Sequence, residues 1–378
     1  MRERVLITGG AGFIGSRLAL RLHAQGHAVR VLDSLLPQVH GADPDVTSPL
    51  LATVCEVAEV HRGSVTSTDD LRAALAGVDV VVHLAAETGT GQSMYEIDRY
   101  VETNVGGTAK LLDLLTNEPH GVRRIVVASS RAVYGEGAYR TRTGDVVYPP
   151  HRSEQTMAAG VFDVRGEDGE VLTSVPTTED ALLHPSSVYG LTKQMQESLV
   201  MTVAASIGVE AVALRYQNVY GPGQSLENPY TGILSIFSTL IRRGEAIDVF
   251  EDGEESRDFV YIDDVVEATV RALSRPAAAG RILNVGSGVP TTVNEVVDAL
   301  LRHFGASVPV SVTGGYRLGD IRHNVADVRR LAAALDFVPA VSFDEGLREF
   351  VEWVRTEPIG SASYRRSLDE MAARKLLK

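Results

Sequence analysis

Apolar residues along this chain come in short blocks separated by longer amphipathic stretches. The blocks are "RVLIT" (4–8), "AVRVLD" (28–33), "VAEVHRG" (57–63), "VDVVVHLA" (78–85), "RRIVVAS" (123–129), "VEAVALR" (209–215) and "RILNVG" (281–286), each rich in valine, isoleucine or leucine. Short runs of this composition bounded by turn residues read as strands. Their near-continuous apolar character places them in a parallel sheet covered on both faces, since such strands have no side for water. Helical spacing fills the gaps, as at Phe13, Ile14, Leu18 and Leu22. Alternating strands and helices predict an α/β, Rossmann-like, doubly wound parallel sheet.

Two regions break the rhythm. Residues 136–185 replace periodic apolar positions with proline, glycine, threonine and charge. Loops beyond about 12–15 residues are usually functional or disordered, so this insertion is a lid, a small added subdomain or a mobile segment. After Asn218, "GPGQSLENPYTGI" and "TGGYRLGDIRH" read as loops between helices. The expected organisation is a dinucleotide-binding domain over 1–215, joined by the strand near 281–286. A smaller C-terminal substrate-binding α/β domain follows over 216–358, and a charged, frayed helical tail over 359–378.

Composition narrows the class. Of 378 residues, 44% are apolar and 22% charged, as in ordinary globular proteins, and the net charge of -13 opposes nucleic acid or an anionic membrane as partner. Any phosphorylated ligand must then be held by local arginines and backbone N–H groups. The single cysteine, Cys55, excludes an internal disulfide and fits a reducing cytoplasm. No apolar run approaches the roughly 18 residues of a membrane span, and the N-terminal run is too short for a signal peptide. His83 belongs to an apolar strand block and reads as a packed histidine. His151, His184 and His323 have no metal-ligand spacing, so no metal is expected.

Chemistry enters first at "GGAGFIGSRLALRL", where Gly9, Gly12 and Gly15 stand at a strand-to-helix turn. Glycine permits the tight turn and lets a pyrophosphate approach backbone N–H groups at the helix N-terminus. Asp33 ends the second strand, about twenty residues on, where a carboxylate accepts hydrogen bonds from an adenosine ribose and repels a 2′-phosphate. The expected cofactor is therefore NAD rather than NADP. A second signal is "HPSSVYGLTKQMQES" (184–198), with Tyr189 and Lys193 four apart on one helical face. A phenol titrates near pH 10, so it serves as a base at neutrality only if a neighbouring cation stabilises its anion.

With both signals in one chain, the sequence resembles the extended short-chain dehydrogenase/reductase family, in its branch of NAD-dependent nucleotide-sugar epimerases and dehydratases. The blocks that carry this are "TGGAGFIGS" (8–16), "VVHLAA" (81–86), "NVGGT" (104–108), "ASSRAVYG" (128–135), "SSVYGLTK" (186–193), "LRYQNVYGPG" (214–223), "RDFVYIDDVV" (257–266) and "YRLGDIRHNVAD" (316–327). The resemblance implies that Gly9, Gly12, Phe13, Ile14 and Gly15 cradle the pyrophosphate and that Asp33 holds the ribose. Leu84, Ala85 and Ala86 would line the cofactor's path above Asn104. Ser64 and Val65 fall at the adenine, with serine in place of the family's usual aspartate. Ser130, Tyr189 and Lys193 would be catalytic, Lys193 also holding the nicotinamide ribose and lowering the tyrosine pKa. Asn218, Arg257 and Arg322 would take the diphosphate, with Asn228 and Tyr230 near the nucleotide, and Gln217, Arg131, Ser130 and Ser93 near the sugar.

The family's 4,6-dehydratases carry Asp-Glu after the serine-equivalent hydroxyl; here Arg131 and Ala132 stand there, which argues against elimination. The expected activity is a 4-epimerisation through a transient 4-keto sugar. The blocks look most like the branch acting on dTDP-L-rhamnose. A UDP-hexose or UDP-uronate 4-epimerase and a 4-keto-sugar reductase remain as alternatives. A homodimer through helices over 100–115 and 189–206 is also implied.

Overall fold

The computed structural model describes residues 2–226, 228, 232–359 and 363–378. Five strands open the chain: β1 (Arg4–Thr8), β2 (Ala28–Asp33), β3 (Ala58–Arg62), β4 (Val80–His83) and β5 (Arg124–Ser130). With Glu210–Tyr216 and Arg281–Val285 they form one seven-stranded sheet. Its order is Arg281–Val285, Glu210–Tyr216, β5, β4, β1, β2, β3, and every pairing is parallel. Strand order reverses beside β1, which is where a doubly wound sheet opens a crevice for a ligand.

Side-chain alternation divides the core between the two faces of this sheet. Val5, Ile7, Val29, Val31, Val80 and Val82 point to one side, where helix α1 (Phe13–Ala24) covers them through Leu18, Ala19 and Leu22. Leu6, Leu32, Val81, Ile125 and Val127 point to the other and meet Leu111, Leu115, Val200 and Ala204. Both faces are dry along the central strands, as the continuous apolar runs require, but edge strand β3 departs from that expectation, with Glu59 and Arg62 exposed and the rest of it part-buried. Burying one leucine or valine side chain contributes about 1.5–3 kcal/mol, so this double layer supplies most of the driving force for folding.

The part after residue 215 is built on the same core. Strand Ser256–Tyr261 pairs in parallel with Asn218–Tyr220 and antiparallel with Pro290–Thr292. Helix Ile262–Ser274 packs against α1, and Val265, Ala268 and Ala272 belong to the cluster that contains Leu18. Two helices here begin with reciprocal capping boxes, Thr292 with Glu295 and Ser342 with Glu345.

The insertion takes the form of a small added subdomain. Tyr139–Arg140 lies between Val146–Val147 and Thr173–Ser174 in an antiparallel sheet, over a cluster of Tyr139, Val164 and Leu172. Buried ion pairs fasten it to the rest: Arg152 bridges Glu136 (3.2 Å) and Glu251 (2.7 Å).

The tail departs from the frayed helix expected of it. Helix Ser363–Ala373 ends in a stretch that pairs with a loop, Lys378 N–H to Tyr316 carbonyl and Leu318 N–H to Leu376 carbonyl, each at 3.0 Å. Met371 is buried and, with part-buried Leu376, lines a cavity of about 230 Å³. Among the described residues, no helix is long and apolar enough to cross a membrane and no cluster of His, Cys, Asp or Glu is placed to hold a metal.

Candidate active site

A cavity of about 670 Å³ opens above the carboxyl ends of β1, β2, β4 and β5. Its floor begins at Gly9, which has φ +69° and lies so close to the strand beside it that a Cβ would sit 2.9 Å from the backbone of Ala85. Glycine is therefore forced there by both conformation and space. Helix α1 follows with Gly12 as its N-cap and no side chain satisfying the first-turn N–H groups. Those donors, with the helix dipole behind them, make an anion site. Gly9, Gly12, Phe13, Ile14 and Gly15 all line the cavity.

Asp33 stands across from this turn at the end of β2. Its carboxylate accepts the N–H groups of Ala11 and Leu35, each at 2.9 Å, which fixes it to the rim of the glycine turn. Two oxygens carry about four lone-pair sites, so acceptor capacity remains for ribose hydroxyls. Ser64 and Val65 line the far end. The Ser64 hydroxyl is bonded to Thr66 Oγ1 at 2.8 Å, and its N–H donates to Asp70, so a carboxylate six residues on steadies the turn from below. Leu84, Ala85 and Ala86 form the wall. Asn104 lies beneath, fully buried, bonding both backbone groups of Glu87 and the hydroxyl of Thr192. These residues fit a dinucleotide: a backbone anion cradle, an acidic ribose acceptor and an apolar slot in one continuous cavity.

Ser130 and Tyr189 meet at the opposite end. Ser130 finishes β5, and Tyr189 is the second residue of the long helix Val188–Ser206. Gly190 lets that helix approach, since a Cβ would come within 2.6 Å of the Ala132 carbonyl. Both side chains line the cavity, and the Ser130 hydroxyl favours the anionic form of the Tyr189 phenol. Ser93 does not line the cavity. It is buried, accepts the backbone N–H of Tyr189 at 3.0 Å and donates to the Thr90 carbonyl, so it holds the tyrosine rather than a sugar.

The electrostatics differ from the sequence expectation in one respect. Burial raises the Tyr189 phenol above its ordinary value, and what opposes this is the Ser130 hydroxyl and the Arg131 charge, not Lys193. Lys193 is itself pushed down to about 7 by burial, partly offset by Glu197, and its Nζ donates to Gln196 Oε1 at 2.8 Å. An ammonium turned to an amide stabilises a phenolate less than one that faces it.

A second cavity of about 230 Å³ adjoins the first and shares Arg131, Asn218 and Phe259 with it. Asn218 Oδ1 and both amide atoms of Gln217 are buried without a hydrogen-bond partner. Buried polar atoms left bare cost about 1–3 kcal/mol each, so these mark where ligand groups belong. Arg131 lines both cavities and has no hydrogen-bond or ion-pair partner among the described residues; burial and nearby Arg257 push it down to about 10. Asn228 lines the first cavity, and Tyr230 lies outside the described residues.

The other two arginines are committed to protein groups. Arg257 lines the second cavity but bonds Asp320 at 2.7 Å and the carbonyls of Ser256, Ile321 and Arg322. Arg322 lines neither cavity: Asp252 (2.6 and 2.8 Å) and Glu251 (3.2 Å) enclose its guanidinium. Sequence reasoning passed over Arg317, which lines the second cavity and lies over the Phe250 ring at 4.7 Å. It stands in the quoted block "YRLGDIRHNVAD", five residues before Arg322.

Comparison with known proteins agrees with this geometry. A family profile described as "NAD dependent epimerase/dehydratase family" matches residues 5–156 and 163–286. The dTDP-L-rhamnose 4-epimerase of Burkholderia thailandensis is 39% identical, covering 94% of this chain and 96% of its own. A Thermotoga maritima UDP-glucose 4-epimerase solved with UDP-glucose superposes with TM-score 0.74, at 28% identity, over 93% of this chain and 98% of its own. The Thermus thermophilus UDP-glucose 4-epimerase in complex with NAD superposes with TM-score 0.72, at 28% identity, over 94% of this chain and 100% of its own.

Proposed function

The chain belongs to the NAD dependent epimerase/dehydratase family, and we propose that within it the protein inverts C4 of a nucleotide-diphosphate sugar. The sugar it suits best is a dTDP-6-deoxyhexose such as dTDP-L-rhamnose, the substrate named for the relative at 39% identity. The observation that carries the reading is that Ser130, Tyr189 and the bare amides of Gln217 and Asn218 line the same cavity as the glycine turn and Asp33, with Asn218 and Arg131 reaching on into a second cavity.

The cofactor is NAD, which supplies a hydride acceptor that can return what it takes. Gly9, Gly12, Phe13, Ile14 and Gly15 hold its diphosphate and Asp33 its ribose. Tyr189 takes the proton of the C4 hydroxyl as the 4-keto sugar forms and gives it back after the ring turns over. Ser130 aligns the reacting oxygen, and Arg131 offsets the charge that develops on the phenol. Such positioned proton transfer contributes about 10²–10⁴-fold. Gln217 and Asn218 pair with the substrate, and Arg131, Arg257 and Arg317 supply the positive field for its diphosphate. Arg131 and Ala132 in place of a carboxylate pair leave elimination of water without its acid and base.

Purified protein incubated with dTDP- and UDP-linked sugars, without added cofactor, should interconvert C4 epimers of one of them by NMR. An unchanged pool across that panel rejects the reading. Stoichiometric NADH consumption would favour a 4-keto-sugar reductase, and turnover of UDP-hexose or UDP-uronate alone would move the substrate.

The protein is further read as a cytoplasmic homodimer. Exposed Ile97 and Val101 on one helix and Leu191 and Met195 on another form adjoining apolar pairs four residues apart, the surface a four-helix contact between copies would cover. Light scattering at a single-chain mass would reject the dimer.

A further inference from the structure

A buried chain of hydrogen bonds runs from Lys193 to the wall of the first cavity, and Gln196, the residue that meets the lysine, has no role in what precedes. Lys193 Nζ donates to Gln196 Oε1 at 2.8 Å. Gln196 Nε2 donates to Thr108 Oγ1 at 2.8 Å, and Thr108 donates its own proton to the Asn104 carbonyl at 2.6 Å. His83 Nε2 lies 2.9 Å from the same Thr108 oxygen, and Thr8 Oγ1 lies 2.7 Å from His83 Nδ1. Thr8 also receives the N–H of Ala85, in the cavity wall.

Donor counting fixes the direction of every link. An ammonium only donates, so the amide must turn its oxygen to Lys193 and its NH₂ to Thr108. Thr108 has spent its single proton on Asn104, so His83 must donate from Nε2 and accept from Thr8 at Nδ1. That is the neutral tautomer, and burial together with the Lys193 charge pushes His83 down to about 3. Gln196 is fully buried and cannot reorient without breaking a bond at each end.

We propose that Gln196 is a positioning residue for Lys193: clamped by Thr108, it seats the ammonium against a neutral acceptor one helical turn from Tyr189. The titratable and charged groups around that ammonium are Glu197 and Tyr189 on its own helix, His83 on β4 and Arg131 after β5. Glu197 is already held by Arg215 at 2.6 and 2.9 Å, and His83 is neutral. The amide oxygen is therefore the acceptor that decides where the lysine proton sits and how firmly. This concerns the site assigned above, but its test does not depend on which sugar reacts.

The chain has four lysines, Lys110, Lys193, Lys375 and Lys378, so a ¹³C-lysine-labelled sample gives a spectrum simple enough to assign with Lys193→Met. One Cε resonance should titrate near neutral pH in the native protein. Gln196→Glu, the same shape with a charge, should raise that midpoint by more than one unit, about a tenfold change in proton affinity. Gln196→Met should lower it, and Thr108→Val, which frees the amide, should lower it less. A Lys193 midpoint that stays put in folded Gln196→Glu overturns the proposal. So does a Lys193 resonance with the ordinary lysine midpoint in the native protein. Should Gln196→Met fail to fold, the isosteric glutamate variant decides alone.

Discussion

The first cavity is floored by a glycine turn and the ends of neighbouring strands, whereas the second gathers arginines and carboxylates from distant parts of the chain, among them Arg131, Glu251, Arg257, Arg317 and Asp320. In the first, the glycine turn, Asp33 and the Leu84–Ala86 wall stand where a strand-by-strand reading puts them. Of three arginines expected at the substrate, Arg322 lines neither cavity and is turned into a carboxylate cluster, Arg257 lines the second but is half committed, and Arg131 lines both. Backbone geometry is fixed by neighbours in sequence. A guanidinium pairs with whichever carboxylate folding brings within about 4 Å, and sequence distance does not limit the choice.

The widest separation between the two regions is expected at the reacting centre. Tyr189→Phe should leave fold and NAD content intact and reduce turnover by about 10³-fold, within the range for a lost acid–base group. Near-native turnover would remove the catalytic assignment. The second test sets Arg322 against Arg131. Arg322→Leu removes the partner of half-exposed Asp252 while Arg152 still holds Glu251, and should lower unfolding free energy by about 1.5–3 kcal/mol, the value of hydrogen bonds to a charged group. Arg131→Leu should leave denaturant stability near native, lower kcat because the phenol loses the charge that offsets its own, and raise KM by about 10–100-fold, the value of a charged hydrogen bond or two. If Arg322→Leu were as stable as native and only raised KM, the contrast between a structural and a substrate-facing arginine would fail.

The smallest effect is one of pH. Glu255 in the ion cluster is raised to about 7, first by burial and then by Glu251. Its folded pKa exceeds the unfolded one, so the folded state binds more protons between the ordinary carboxylate range and about pH 7. Stability from this group is present at the acid end of that window and lost as pH rises through it. Glu255→Gln should flatten the slope of unfolding free energy against pH there, and an unchanged slope would exclude Glu255 as its source.

Legibility followed the same division. The glycine spacing, Asp33 and the Tyr189-to-Lys193 spacing are local patterns, and each lands on the cavity. Ser93 was legible as a serine near the site, but only the fold shows that it bonds the Tyr189 backbone. Lys193 was legible as a cation beside a phenol; that it turns to Gln196 depends on Thr108, 88 residues from Gln196 in the chain. Arg317 and Arg322 stand five apart in one block, and no local rule says which faces the cavity. The tail reads as a charged, frayed helix from its sequence, yet its last residues pair with Tyr316 and Leu318.

By itself, the sequence determined the parallel sheet, the glycine turn and the tyrosine set one helical turn before a lysine, because each is written in spacings of four residues or fewer or in runs of one strand. Only tertiary structure decided which arginine meets a carboxylate and which meets the cavity, what holds the lysine, and where the insertion and tail rest. Those outcomes depend on distances between segments far apart in the chain, and Coulomb and hydrogen-bond energies are set by such distances alone.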